Sequence, residues 1–326
     1  MRALLSILCL TLLFSGHARS EAEIVLYDQY EVNGHTGYLS AWAVHGPLDK
    51  VLLIVPGFDT KNGSMPVDEL LDDLAPVVQF MGQKGWDVIY FDYVDGAIDL
   101  KVNADNLAHF LSYLDTQAPN NYPLAVIGGS MGGIVTRTMF VQEKDDMGVD
   151  TYVSIDSPHR GVFLSNWAND LASLAIDYEA AHQMHYGDPA FKKHYGWLRK
   201  VEATRHFKKH VNEPMNTCAI ALSDGSQGYW KVSWEDRLLH NKYYGVSSYI
   251  NYSGMRSTYM PYHSAVYLDS ASTRKKTRWG YARYKYRNQT SSYFDRTIAN
   301  PADEHTAPDY AIVQALDFIL ANEPDL

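Results

Sequence analysis

Leu124-Ala125-Val126-Ile127-Gly128-Gly129-Ser130-Met131-Gly132-Gly133 is the stretch on which the reading of this 326-residue chain turns. An apolar run leads into Gly-x-Ser-x-Gly, and apolar residues recur behind it at Ile134, Val135, Met139 and Phe140. The run fits a strand buried on both faces, and the later spacing fits a helix. Between them the chain turns sharply, the layout of a nucleophile elbow with Ser130 at its tip. A Cβ at Gly128 or Gly132 would crowd the strand or helix packed against it. The helix start would point its N–H groups at the place where an oxyanion forms. By chance a bare Gly-x-Ser-x-Gly arises on the order of 0.1 times in such a chain, so its surroundings must decide. The bland alternative is a glycine-rich turn with an idle serine.

Working outward, Val51-Leu52-Leu53-Ile54-Val55 reads as a second strand buried on both faces, ending at Pro56-Gly57-Phe58-Asp59. The spacing of Leu70, Leu71, Leu74, Val77, Val78 and Met81 predicts a helix over 66–81 that Pro76 should kink or split. Trp86 to Phe91 reads as a strand, Asp99 to Thr116 as an amphipathic helix, and Val149 to Ile155 as a further strand ending at Asp156-Ser157-Pro158-His159-Arg160-Gly161. Residues 24–45 suggest one or two strands with a turn at Asn33-Gly34, forming an edge hairpin. Residues 50–161 therefore alternate β-α-β-α-β-α-β, which implies the α/β class with a doubly wound, mostly parallel sheet. In such sheets ligands bind beyond the carboxyl ends of the strands, where loops 56–60, 92–97, 128–132 and 156–161 fall. After Gly161 the rhythm breaks. Residues 162–215 and 229–300 read as cap-like insertions in one domain spanning 21–326, while Cys218 to Leu222 and Asp309 to Leu320 return to strand and helix.

The chain opens with Arg2, an apolar run from Leu4 to Phe14 and small residues before Glu21, the pattern of a secretory signal peptide over 1–20. That predicts a secreted or periplasmic protein. The run is about half of the ~20 residues a membrane span needs, and no later stretch is long and apolar enough, so no integral span is expected in the mature chain. Beyond residue 20 there are 26 basic and 38 acidic residues, a balance that argues against nucleic acid as a partner. Cys218 is then the only cysteine, within Cys218-Ala219-Ile220-Ala221-Leu222, and reads as a small buried hydrophobe. The pairs His182/His185 and His206/His210 have helical spacing but no accompanying carboxylate pattern, so no metal site is expected.

A serine hydroxyl becomes a nucleophile when a histidine removes its proton and a carboxylate orients that histidine. In a sheet of this kind the order along the chain is Ser, then Asp or Glu, then His. His305, in Asp303-Glu304-His305-Thr306-Ala307-Pro308, precedes the final helix and is the expected base. Asp224 follows the strand 218–222 and is the expected acid, with Asp156, at the end of the preceding strand, as its rival. Phe58 and Met131 should supply the two backbone N–H groups of an oxyanion hole. His159 and His263 are expected to line the substrate pocket.

Pro56-Gly57-Phe58, Gly128-Gly129-Ser130-Met131-Gly132-Gly133 and Ser157-Pro158-His159-Arg160-Gly161 together resemble the α/β-hydrolase superfamily. The last segment looks like one found in bacterial triacylglycerol lipases and in GPI-inositol-deacylase-like esterases. The resemblance covers roughly 50–161, 216–226 and 300–322, and implies hydrolysis of a small-molecule or polymeric ester through an acyl-enzyme, without metal or organic cofactor. The aromatic 229–300 segment departs from common lipases. A non-catalytic glycan-binding module, stacking sugars on its tyrosines, and a serine peptidase are the competing expectations.

Overall fold

Successive side chains of a strand point to opposite faces, so a strand covered on both sides must be apolar at every position. The elbow strand meets that condition. Leu124 and Val126 lie in one apolar cluster and Ala125 and Ile127 in another. Val51, Leu53 and Val55 divide from Leu52 and Ile54 in the same way.

The computed structural model describes residues 23–28, 31–32, 35–36, 39–58, 67–93, 95–118, 122–143, 145–155, 157–159, 161, 178–185, 188–204, 218–223, 250–251, 256–257, 273–276, 282–285, 296–299 and 309–323. Eight strands form the main sheet: β1 (Glu23–Asp28), β2 (Leu39–Val44), β3 (Val51–Val55), β4 (Asp87–Phe91), β5 (Leu124–Gly129), β6 (Thr151–Ile155), β7 (Cys218–Ser223) and β8 (Arg296–Ala299). Their spatial order is β1-β2-β4-β3-β5-β6-β7-β8. The six strands from β4 to β8 in that order pair in parallel, and β2 joins β4 and β1 antiparallel. The expected edge hairpin thus contributes β1 to the edge, while β2 lies one strand inside it.

Helices α1 (Val67–Gln83), α2 (Leu100–Gln117) and α3 (Met131–Glu143) follow β3, β4 and β5, and α4 (Glu179–Met184), α5 (Pro189–Thr204) and α6 (Asp309–Ala321) come later. Leu107, Phe110, Leu111 and Leu114 of α2 join Ile134, Val135 and Met139 of α3 in one cluster; Met81 of α1 and Ala315, Leu316 and Ile319 of α6 join the other. The sheet is therefore sandwiched between two helical layers, which is the doubly wound arrangement. At ~25 cal/mol per Å² of apolar area removed from water, this two-sided burial is the main favourable contribution to the fold.

Of the kink or split expected at Pro76, the split does not occur, since Pro76 lies inside a continuous α1. A proline there removes one helical hydrogen bond and costs about 3 kcal/mol. The apolar face formed by Val77, Val78 and buried Met81 holds the helix on the sheet regardless. Arg296–Ala299, inside the stretch read as an insertion, pairs in parallel with Ile220 to Ser223 as the eighth strand of the sheet. Its four residues are too short and too polar to announce a strand.

The described part of 162–215 folds back beside the carboxyl edge. The Ala180 N–H donates to the Ala97 carbonyl at 3.0 Å, and the Leu100 N–H donates to Gln183 Oε1 at 2.8 Å. These bonds tie α4 to the loop after β4. Against α3 and α2, α5 places His194 Nε2 at 3.3 Å from Thr138 Oγ1 and Trp197 under the Lys101 ammonium, 3.7 Å from the ring centre. Among the described residues no helix is long and apolar enough to cross a membrane.

Candidate active site

Register fixes the edge on which the site is built. Val55 pairs with Gly128, Gly129 with Ile155, and Ile155 with Leu222, so β3, β5, β6 and β7 all end together. Ser130 is the residue between β5 and α3. Its φ is +48°, a left-handed conformation that an ordinary side chain adopts only at some strain. The strain is held in place locally. The Ser130 N–H donates to the Ile155 carbonyl of β6 at 2.8 Å, and the Gly133 N–H donates to the Ser130 carbonyl at 3.3 Å.

The glycines answer to close backbone approach. A Cβ at Gly128 would lie 2.6 Å from the Gly133 nitrogen, where helix and strand cross. A Cβ at Gly132 would run into the Val55 carbonyl oxygen and come within 2.5 Å of that of Pro56. The elbow helix therefore sits directly on the end of β3. From the other side, Gly57 faces Ser130, since a Cβ there would meet Ser130 Cβ at 3.3 Å and Oγ at 3.8 Å. Phe58 follows, its ring edge-on to Tyr178 at 5.9 Å. Met131 is the first residue of α3, so its N–H belongs to the turn that has no acceptor within the helix. Ser130, Gly57, Phe58 and Met131 are thus brought to one place by the ends of β3 and β5.

His159, expected on the pocket wall, is 2% exposed, and its Nε2 lies 2.8 Å from Ser154 Oγ of β6. Its carbonyl accepts from Arg137 Nη1 of α3 at 3.2 Å. Burial, with the Arg137 charge adding, holds the imidazole well below its ordinary value, so it is neutral. A Cβ at Gly133 would run into Ser157 Oγ and come within 2.6 Å of Ser154 Oγ, which places this hydroxyl pair beneath the elbow helix. The Tyr152 hydroxyl donates to the Gly133 carbonyl there at 2.6 Å. The loop after β6 is thereby tied to the elbow through Ser154, His159 and Arg137. Nothing in the sequence singled out Ser154 or Arg137. The remaining expected site residues, Asp156, Asp224, His263 and His305, lie outside the described residues. His182 Nδ1 is 2.8 Å from Asp188 Oδ2, a partner from the turn before α5.

Strand order, a central parallel sheet and a serine in a strained strand-to-helix turn decide the fold. This is the α/β-hydrolase fold. The family model described as PGAP1-like alpha/beta domain matches residues 93–184, which include the elbow and the loop after β6. The Bacillus licheniformis lipase in its propeptide form superposes with a TM-score of 0.51 at 16% identity, over 89% of this chain and 54% of that one. The mature form of the same lipase gives 0.48 at 16% identity, over 88% and 98%. A carboxyl esterase from Bacillus coagulans gives 0.38 at 12%, over 62% and 79%. No curated protein matches the chain.

Proposed function

We propose that this hydrolase-fold chain is an exported serine hydrolase that cleaves carboxylic esters through an acyl-enzyme on Ser130. The observation that carries the reading is the +48° φ of Ser130 between β5 and α3, a strain that the surrounding turn maintains. A structure that shares the fold is named a lipase, which is in keeping with an ester substrate. The apolar run at the start of the chain supports export.

In this mechanism His305 takes the proton of Ser130 Oγ as the oxygen attacks the ester carbonyl. Asp224, or Asp156 in its place, orients that histidine. The negative charge moves to the carbonyl oxygen, where the N–H groups of Phe58 and Met131 receive it. Collapse of the tetrahedral species breaks the ester C–O bond, and the alcohol leaves with the proton from His305. Water then attacks the acyl-enzyme by the same route and frees the acid.

The test is turnover of p-nitrophenyl esters from acetate to palmitate by the mature protein and by Ser130→Ala. Loss of ~10³-fold or more in the variant is expected on whichever chain lengths the wild type cleaves. Equal rates for the two proteins would sink the reading.

A further inference from the structure

A loop that has left its strand has no ladder to orient its peptide groups, so something else must hold them. At the end of β3 that something is visible. The Tyr93 hydroxyl donates to the Pro56 carbonyl at 3.1 Å. On another side the same carbonyl lies close against the elbow helix at Gly132. Pro56 itself has no N–H with which to anchor the turn. The Pro56 carbonyl shares its planar peptide group with the N–H of Gly57, which lies beside Ser130, and the peptide group after it carries the N–H of Phe58.

Tyr93 is suited to a fixed role. It follows β4, the strand paired with β3, and reaches across to the neighbouring strand's loop. The residue is 2% exposed and its ring stands edge-on to Phe91, with centres 5.4 Å apart and planes at 87°. Burial pushes the phenol well above its ordinary value, so the hydroxyl keeps its proton and donates at every working pH.

We propose that Tyr93 is a positioning residue for the reaction: through the Pro56 carbonyl it sets the direction of the Phe58 N–H and so the geometry of the oxyanion hole. The inference rests on the serine-hydrolase reading. Oxyanion donors act only when aimed at the place where charge develops, so a small rotation of the loop lowers transition-state binding and leaves ground-state binding alone.

Tyr93→Phe removes the hydroxyl and keeps the ring. With p-nitrophenyl butyrate its kcat should fall about tenfold while KM stays within about twofold, the pattern of an interaction made in the transition state. Affinity for butylboronic acid, whose tetrahedral serine adduct places an oxygen in the same hole, should fall in parallel. Trp86→Phe is the control: Trp86 is buried just before the opposite end of β4, and its truncation should lower Tm without moving kcat or the boronate affinity. A Tyr93→Phe enzyme with wild-type kcat and boronate affinity overturns the proposal, as does a Trp86→Phe enzyme showing the same losses. A wild type that neither turns over the ester nor reacts with a fluorophosphonate overturns the hydrolase reading instead, and this inference with it.

Discussion

A methyl group at Gly132 would run into the Val55 carbonyl oxygen and lie within 2.5 Å of that of Pro56, and neither backbone can move without disturbing the site. Gly132→Ala should therefore lower stability by about 1–3 kcal/mol in urea unfolding and reduce ester turnover by ~100-fold or more. Gly129→Ala is the matched comparison. Nothing lies within 4 Å of a Cβ there and its φ is not positive, so its unfolding midpoint should stay at or slightly above wild type. The need for glycine at 128 and 132 was legible in the sequence, because the elbow motif implies a crossing of strand and helix at those positions. The role of Tyr93 was not legible. It depends on β4 lying next to β3, and sequence separation gives no hint that residue 93 meets residue 56. His159 was legible as a loop residue after a strand; its burial against Ser154 follows from how the loop folds back under α3.

Asp99 caps α2, its carboxylate accepting from the Lys101 N–H at 2.8 Å. Asp99→Ala leaves that donor without its cap and should lower stability by about 1 kcal/mol. Between α3 and α5, burial pushes the His194 imidazole down to about 4, with Arg137 and Lys101 adding and Asp99 opposing. Between about 6.5, the ordinary value, and about 4, the unfolded chain binds a proton at His194 that the folded chain does not. The contribution is fully present above pH ~6.5 and is lost as pH falls through that window. From pH 7.5 to 5.5 the wild type should lose about 1.3 kcal/mol more than His194→Gln. Equal pH dependence of the two unfolding curves would contradict a buried neutral His194. At this scale the sequence misleads where local preference and packing disagree. Pro76 signals a kink or a split, and α1 continues through it unsplit because its far half is held by the core around Met81.

Across the whole molecule, the strands that were easiest to read are those covered on both faces, since burial on both sides demands unbroken apolar runs. β3 and β5 are of this kind. The edges were harder: β8 is four residues of mixed polarity and becomes a strand only because β7 offers it a partner. Convergence of β3, β5, β6 and β7 on one edge, with Ser130 at its centre, is what makes a common motif a candidate site. Activation of Ser130 by this architecture is measured by treating the mature protein with a fluorophosphonate and following intact mass alongside residual ester turnover. The expected result is a single adduct on the wild type, loss of turnover in proportion to labelling, and no adduct on Ser130→Ala. Equal labelling of the variant, or ester turnover that survives full labelling, would contradict it.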